Sequence, residues 1–164
     1  MKWYNHKLTT MAMVYAATGT LVSAALAGIG AVLPDVMEMR GVLAHRTVTH
    51  WPYPYLVVTA LLYVVACASL SYMAYFVFFI MVGCVCHLFE DCLSRGGIPW
   101  KTPYGSRKGF DLYVTRTSSE YLTVAVLFIL SVTAMLGRGF LNNAYLMGEI
   151  KHSFRFLSGF LKTL

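Results

Sequence analysis

The 164-residue chain is 58% hydrophobic and only 12% charged, with a mean hydropathy of +0.63, which puts it outside the range of soluble globular domains. Its formal charge of +6, from 13 Lys and Arg against 7 Asp and Glu, comes from basic residues scattered through polar segments and the C-terminus. That pattern suits anionic lipid headgroups and argues against nucleic acid as a partner. Cys67, Cys84, Cys86 and Cys92 lie in or beside apolar runs without C-x-x-C spacing, so neither a disulfide framework nor a structural zinc site is expected from them.

At the N-terminus, Lys2 and Lys7 precede an apolar run that reaches small residues at 25–27. This imitates a secretory signal, but we read the segment as part of the fold. The run itself, residues 8–33, is rich in Ala, Gly, Ser and Thr, which allow membrane helices to approach closely, and it stops at Pro34. A polar loop, 35–51, follows. Residues 53–70 and 72–93 are two long apolar runs with only Ser71 between them, each long enough to cross roughly 30 Å of hydrocarbon. They predict a tight helical hairpin.

A second polar segment, 94–119, carries Arg95, Lys101, Arg107, Lys108, Asp111 and Arg116, and residues 121–136 form the last spanning candidate, closed by Gly137, Arg138 and Gly139. From Ile150, apolar Ile150, Phe154, Leu157 and Leu161 keep helical spacing, with Lys151, Arg155, Ser158 and Lys162 one residue out of phase. That is the pattern of an interfacial amphipathic helix. The expected fold is all-α: one integral membrane domain over 1–164, a multi-pass helical bundle of about four apolar segments, with an amphipathic tail over 140–164.

A hairpin over 53–93 returns the chain to the side it left, so the loop before it and the segment beginning at Asp91 share one membrane face. Asp35, His45, His50, His87 and Asp91 then gather at helix ends on that face. Imidazole and carboxylate are the ligand types that zinc or manganese takes. His87 and Asp91, four apart, stand on one helical face with Glu90 beside them, whereas His45 and His50, five apart, can both ligate only if a turn intervenes. Ionisable groups ending a run this apolar need partners. Mutual metal ligation supplies them economically, and an ion pair with Arg46 or Arg95 is the structural alternative.

These residues resemble a family of bacterial inner-membrane metal-dependent hydrolases, some controlled by the DNA-damage repressor. Residues 30–35, Gly-Ala-Val-Leu-Pro-Asp, look like the family's apolar run into L-P-D-x-D. Residues 45–50 look like its H-R-G-x-T-H, and residues 83–104 like its G-x-x-x-H-x-x-x-D-x-L-T-x-x-G-V-P-x-x-x-P, with His87, Asp91, Leu93, Gly97, Pro99 and Pro103 matching. Met37, Thr47 and Trp51 depart from the pattern, and Glu38 offers a substitute for the second Asp by a one-residue shift. The resemblance implies a metal role for an N-terminal His, here His6. Through the family's distant similarity to zinc phospholipases C and related zinc nucleases, it also implies phosphoester substrates such as phospholipids.

The expected site therefore holds a divalent metal, zinc first and manganese or magnesium as alternatives, on His6, Asp35, His45, His50, His87 and Asp91. Glu90 or Glu120 would orient water or act as base, and Arg46 would hold a phosphate oxygen pair. His6 poses a topological problem: one straight helix over 8–33 would carry it about 40 Å from Asp35. A re-entrant hairpin broken near Thr18, Gly19 and Thr20 would bring both ends together. With that hairpin, nine of the 13 Lys and Arg lie on the site face, which by the positive-inside tendency puts the site at the cytoplasmic face of a bacterial inner membrane. A metal-binding or transport protein and a non-catalytic membrane adaptor are the competing readings. The first needs polar residues midway along the spans, and the second needs none of the His and Asp residues.

Overall fold

The computed structural model describes residues 1–38, 46–69 and 71–162. Helices α1 (Trp3–Thr18) and α2 (Leu21–Gly30) are joined by a turn in which Gly19 adopts φ 72°, and its N–H closes on the Tyr15 carbonyl at 2.7 Å. Only a residue without Cβ takes this left-handed conformation at no steric cost, and it is the usual way a helix ends. The broken first segment is therefore a helical hairpin.

A short turn leads from α2 to α3 (Leu33–Glu38), in whose first turn Pro34 costs no hydrogen bond. A single 3₁₀ turn, Val48–His50, precedes α4 (Pro52–Ser69), which is followed by α5 (Tyr72–Leu93). The expected 53–93 hairpin is thus present to within a residue or two. A two-residue antiparallel ladder, β1 (Ile98–Pro99) with β2 (Arg107–Lys108), folds the following loop before α6 (Ser118–Gly137) and α7 (Asn143–Leu161). This ladder and an isolated bridge between Ser94 and Tyr113 are the departures from an all-α reading among the described residues.

The helices pack in the order α4, α5, α2, α1, α6. At the α2–α5 crossing, a Cβ on Gly30 would collide with the Ile80 carbonyl, and one on Gly83 with the Ala27 carbonyl, so the two backbones touch as small-residue membrane interfaces allow. Four segments are long and apolar enough to span a membrane: Leu21–Glu38, Pro52–Ser69, Tyr72–Leu93 and Ser118–Gly137. Within Pro52–Ser69 only 6% of the span is buried inside the protein. Many of the largest fully buried side chains are polar, among them His6, His50, His87, Glu90 and Glu120. Apolar outside and polar inside is the arrangement a hydrocarbon solvent selects.

Helix α7 begins seven residues before Ile150, at Asn143, with the Asn142 side chain accepting from the Ala144 N–H at 2.8 Å. The predicted apolar stripe of Ile150, Phe154, Leu157 and Leu161 stays exposed. A different face docks on the bundle: Tyr145 donates to the Gly19 carbonyl, Glu149 accepts from the Leu21 N–H, and Phe156 and Phe160 stack on Phe76. Periodicity identified an amphipathic helix but could not show that it has two working faces, one for the protein and one for lipid. Placing a side chain at the α2–α5 contact should disrupt the bundle. We expect Gly83→Val to lower the midpoint of thermal unfolding in detergent by roughly 5 °C or more, whereas Val64→Ala, on the exposed face of α4, should leave it unchanged.

Candidate functional site

The start of α1, the end of α3, the 3₁₀ turn, the start of α4, the end of α5 and the start of α6 all lie at one end of the bundle. Contacts from Trp3 Nε1 to Asp35 Oδ2 at 3.1 Å and from Lys2 N to Glu120 Oε1 at 2.8 Å fix this registry. His6, carried by α1, is stacked on His87 of α5 with ring centroids 4.0 Å apart. The Gly19 turn therefore removes the 40 Å separation that a straight helix would impose.

Asp35, His50, His87 and Asp91 each offer one ligand atom within 4.8 Å of all the others. Their donor atoms outline a small polyhedron. His50 Nε2 is 3.1 Å from His87 Nε2, 3.5 Å from Asp35 Oδ1 and 3.3 Å from Asp91 Oδ2. His87 Nε2 is 3.6 Å from Asp35 Oδ1 and 3.7 Å from Asp91 Oδ2. A tetrahedron with metal–ligand bonds of about 2.0–2.2 Å has edges of roughly 3.3–3.6 Å, and the five edges that meet at His50 or His87, 3.1–3.7 Å, lie near that range.

The opposite nitrogen of each imidazole is held. His87 donates from Nδ1 to the Ala31 carbonyl at 2.7 Å, and His50 Nδ1 meets Glu38 Oε1 at 2.9 Å. His6 Nδ1 is hydrogen-bonded to Glu90. An acceptor at Nδ1 puts the proton there and leaves the Nε2 lone pair for a metal. Burial alone would push the His50 pKa down, but Asp35, Asp91 and Glu38 outweigh it and raise the pKa to about 9. The pocket around His50 thus favours positive charge, supplied by a proton or by a cation.

Asp91 is the hub. Its Oδ2 pairs with Arg46 Nη2 at 2.9 Å, while Oδ1 faces His6 Nε2 at 3.6 Å and the Met1 amino nitrogen at 3.2 Å. His6 Nε2 is buried without a hydrogen-bond partner, so His6 stands beside the four-residue group with a free donor atom aimed at Asp91. Arg46 adopts φ 54° and is anchored by Ser94 Oγ at 3.1 Å and the Gly97 carbonyl at 3.2 Å. The ion pair foreseen as an alternative to ligation is thus present alongside the cluster. Arg95 points elsewhere, to an exposed contact with Asp111 at 3.9 Å.

The carboxylates assigned to base chemistry are otherwise engaged. Glu90 is fully buried behind His6 and accepts from Thr9 Oγ1 and from Thr10 Oγ1, the latter at 3.1 Å. Glu120 accepts from Lys2 N, Asn5 Nδ2 and Arg116 N, which satisfies one of the orphan N–H groups at the start of α1. Both carboxylates are thus hydrogen-bonded to neighbouring groups of the chain. His45 lies outside the described residues.

Sequence reasoning considered Glu38 only as a replacement ligand. In the structure Glu38 accepts from Arg46 N at 2.8 Å and from the Thr49 hydroxyl as well as from His50, so it orients the turn that carries His50. Its wide separation from His50 along the chain gave no signal, and the Ala31 carbonyl that orients His87 has no side-chain signature at all. Removing the charge of an orienting carboxylate weakens metal binding about 10–100-fold in general. Glu38→Gln should accordingly raise the Kd for zinc by that factor in a competition titration with a chelating dye, and His152→Gln, exposed on α7, should not change it.

A family model described as YdjM inner membrane protein matches residues 1–156. No curated protein and no solved structure matches the chain. The match covers nearly the whole length, the site and all four apolar spans included, and it agrees with the membrane location that the helices require. This chain belongs to the YdjM inner membrane protein family.

Proposed function

We propose that the protein is a membrane-embedded metal-dependent hydrolase that acts on a phosphoester at the membrane surface. One observation carries the reading: three imidazoles with Nδ1 held by an acceptor turn Nε2 toward Asp35 and Asp91 at one end of the bundle. Asp35, His50, His87 and Asp91 would hold a divalent ion, zinc by donor type, and His6 would bind alongside through the second oxygen of Asp91. Such an ion polarises an ester oxygen and brings the pKa of bound water toward neutrality.

The chain's own residues then orient and select. Glu38, Glu90 and the Ala31 carbonyl keep the imidazoles in the ligating tautomer. Arg46, bonded through Nη2 to Asp91 and through Nη1 to Ser94 and the Gly97 carbonyl, would hold the Asp91 carboxylate in its ligating position. Asp35 is the most open member, with 16% of its side chain exposed, so substrate would enter past it.

We read the chain as multi-pass in a bacterial inner membrane. Eight of the 12 Lys and Arg among the described residues stand at the site end once the first segment is a hairpin, which favours a cytoplasmic site. A transport role has less support, because the buried His and Asp residues among those described gather at one end of the bundle and do not continue along it. Detergent-purified protein should contain stoichiometric divalent metal by elemental analysis and should hydrolyse a generic phosphodiester in a chelator-sensitive way. His87→Ala and Asp91→Asn should each lose the metal and at least about 100-fold in rate. Metal-free wild-type protein, or unchanged turnover in both variants, would sink the assignment.

A further inference from the structure

An apolar groove of about 240 Å³ lies between α4, α5 and the β1–β2 loop, lined by Pro52, Leu56, Leu88, Cys92, Trp100 and Phe110. Leu88 and Cys92 each follow a cluster residue, His87 and Asp91, by one position. At about 100° per residue, the groove and the cluster occupy neighbouring faces of the same two turns of α5. Pro52 begins α4 two residues after His50, so the groove and the cluster share both helix ends.

We propose that this groove is an acyl-chain site that takes one hydrocarbon tail of an anionic phospholipid and brings its headgroup to the end of the bundle where the cluster lies. Four observations converge on that occupant. The walls are apolar, and Leu56, Trp100 and Phe110 are 47%, 40% and 67% exposed, so the groove opens onto the exposed apolar face of α4. A dry cavity of roughly 150 Å³ already takes benzene, whereas drug-sized ligands need about 300 Å³ or more. A groove of about 240 Å³ therefore suits a single chain segment, not a headgroup or a paired tail.

The fourth observation is the rim. Trp100 Nε1 donates to the Lys108 carbonyl at 3.2 Å, and Lys108 pairs with Ile98 in the ladder. The exposed Lys101 and Lys108 therefore adjoin the groove residues Trp100 and Ile98, by chain position and by ladder pairing, where positive charge complements a phosphate. As a substrate subsite the groove rests on the hydrolase reading; as a lipid site it does not.

The test uses full-length protein in phosphatidylcholine nanodiscs doped with a phosphatidylglycerol bearing a mid-chain diazirine, with crosslinks mapped by peptide mass spectrometry. Labelling should saturate, concentrate on residues 85–92 and 98–110, and be competed by unlabelled phosphatidylglycerol but not by added phosphatidylcholine. Val85→Phe, on the groove wall, and Leu56→Phe, at an exposed position, should each cut groove labelling roughly tenfold, the effect of excluding about two methylenes. Leu61→Phe, on the outer face of α4, should leave it intact.

Labelling should also persist in Asp91→Asn and with chelator present, so a failed hydrolase assay and a failed lipid site give different results. Non-saturating label spread evenly over the exposed faces of α4, α5 and α6 would mean annular lipid only and would overturn the proposal. Equal competition by phosphatidylcholine would overturn the anionic assignment. Protein–protein crosslinks within the groove would assign it to a second copy of the chain instead.

Discussion

Asp91 sits at the end of an apolar helix, 1% exposed, and a carboxylate in that position is tolerable only if its charge is met from several sides. Leaving it unpaired would cost several kcal/mol. The chain answers with five groups from three places: the Met1 amino nitrogen and His6 at the N-terminal end, Arg46 and His50 from the segment before α4, and His87 one turn earlier on α5. Much of the local architecture follows from that requirement. The Gly19 turn brings α1 back to the site end, and the left-handed backbone at Arg46 aims its guanidinium inward.

The same physics explains the unusual surface. The span most exposed to its surroundings, α4, is apolar enough to cross a membrane, whereas much of the buried interior at the site end is His, Glu, Asp and Thr. Lipid gives no hydrophobic reason for helices to associate, so close backbone contact at Gly30 and Gly83 and shared polar networks hold the bundle together. At the opposite end, α7 is fastened by Glu149, Tyr145 and the Phe76, Phe156 and Phe160 stack, which leaves its second apolar face outward.

The cluster and the groove are two uses of one helix end. Alternate faces of the last turns of α5 present His87 and Asp91 to a polar pocket and Leu88 and Cys92 to an apolar one. A helix at a membrane interface can serve both solvents in this way because its side chains radiate at about 100° intervals. In the proposed function, this arrangement would hold the polar and apolar parts of an amphiphile at a fixed separation.

The sequence by itself determined the membrane solvent, the last three spans, the 53–93 hairpin, and most of the His/Asp cluster, because span length and the cost of ionisable groups beside apolar runs depend only on local composition. It also posed the His6 problem correctly, since 1.5 Å per residue leaves a straight helix no way to bring His6 to Asp35. Only the tertiary structure decided that Gly19 breaks the segment, that Glu90 and Glu120 are hydrogen-bonded to neighbouring groups of the chain, that Glu38 and the Ala31 carbonyl orient His50 and His87, and that α7 docks by a face other than its most regular stripe. Those outcomes depend on which distant atoms become neighbours. Hydrogen-bond partners more than ten residues apart, and backbone carbonyls in particular, leave no periodic trace in the order of residues.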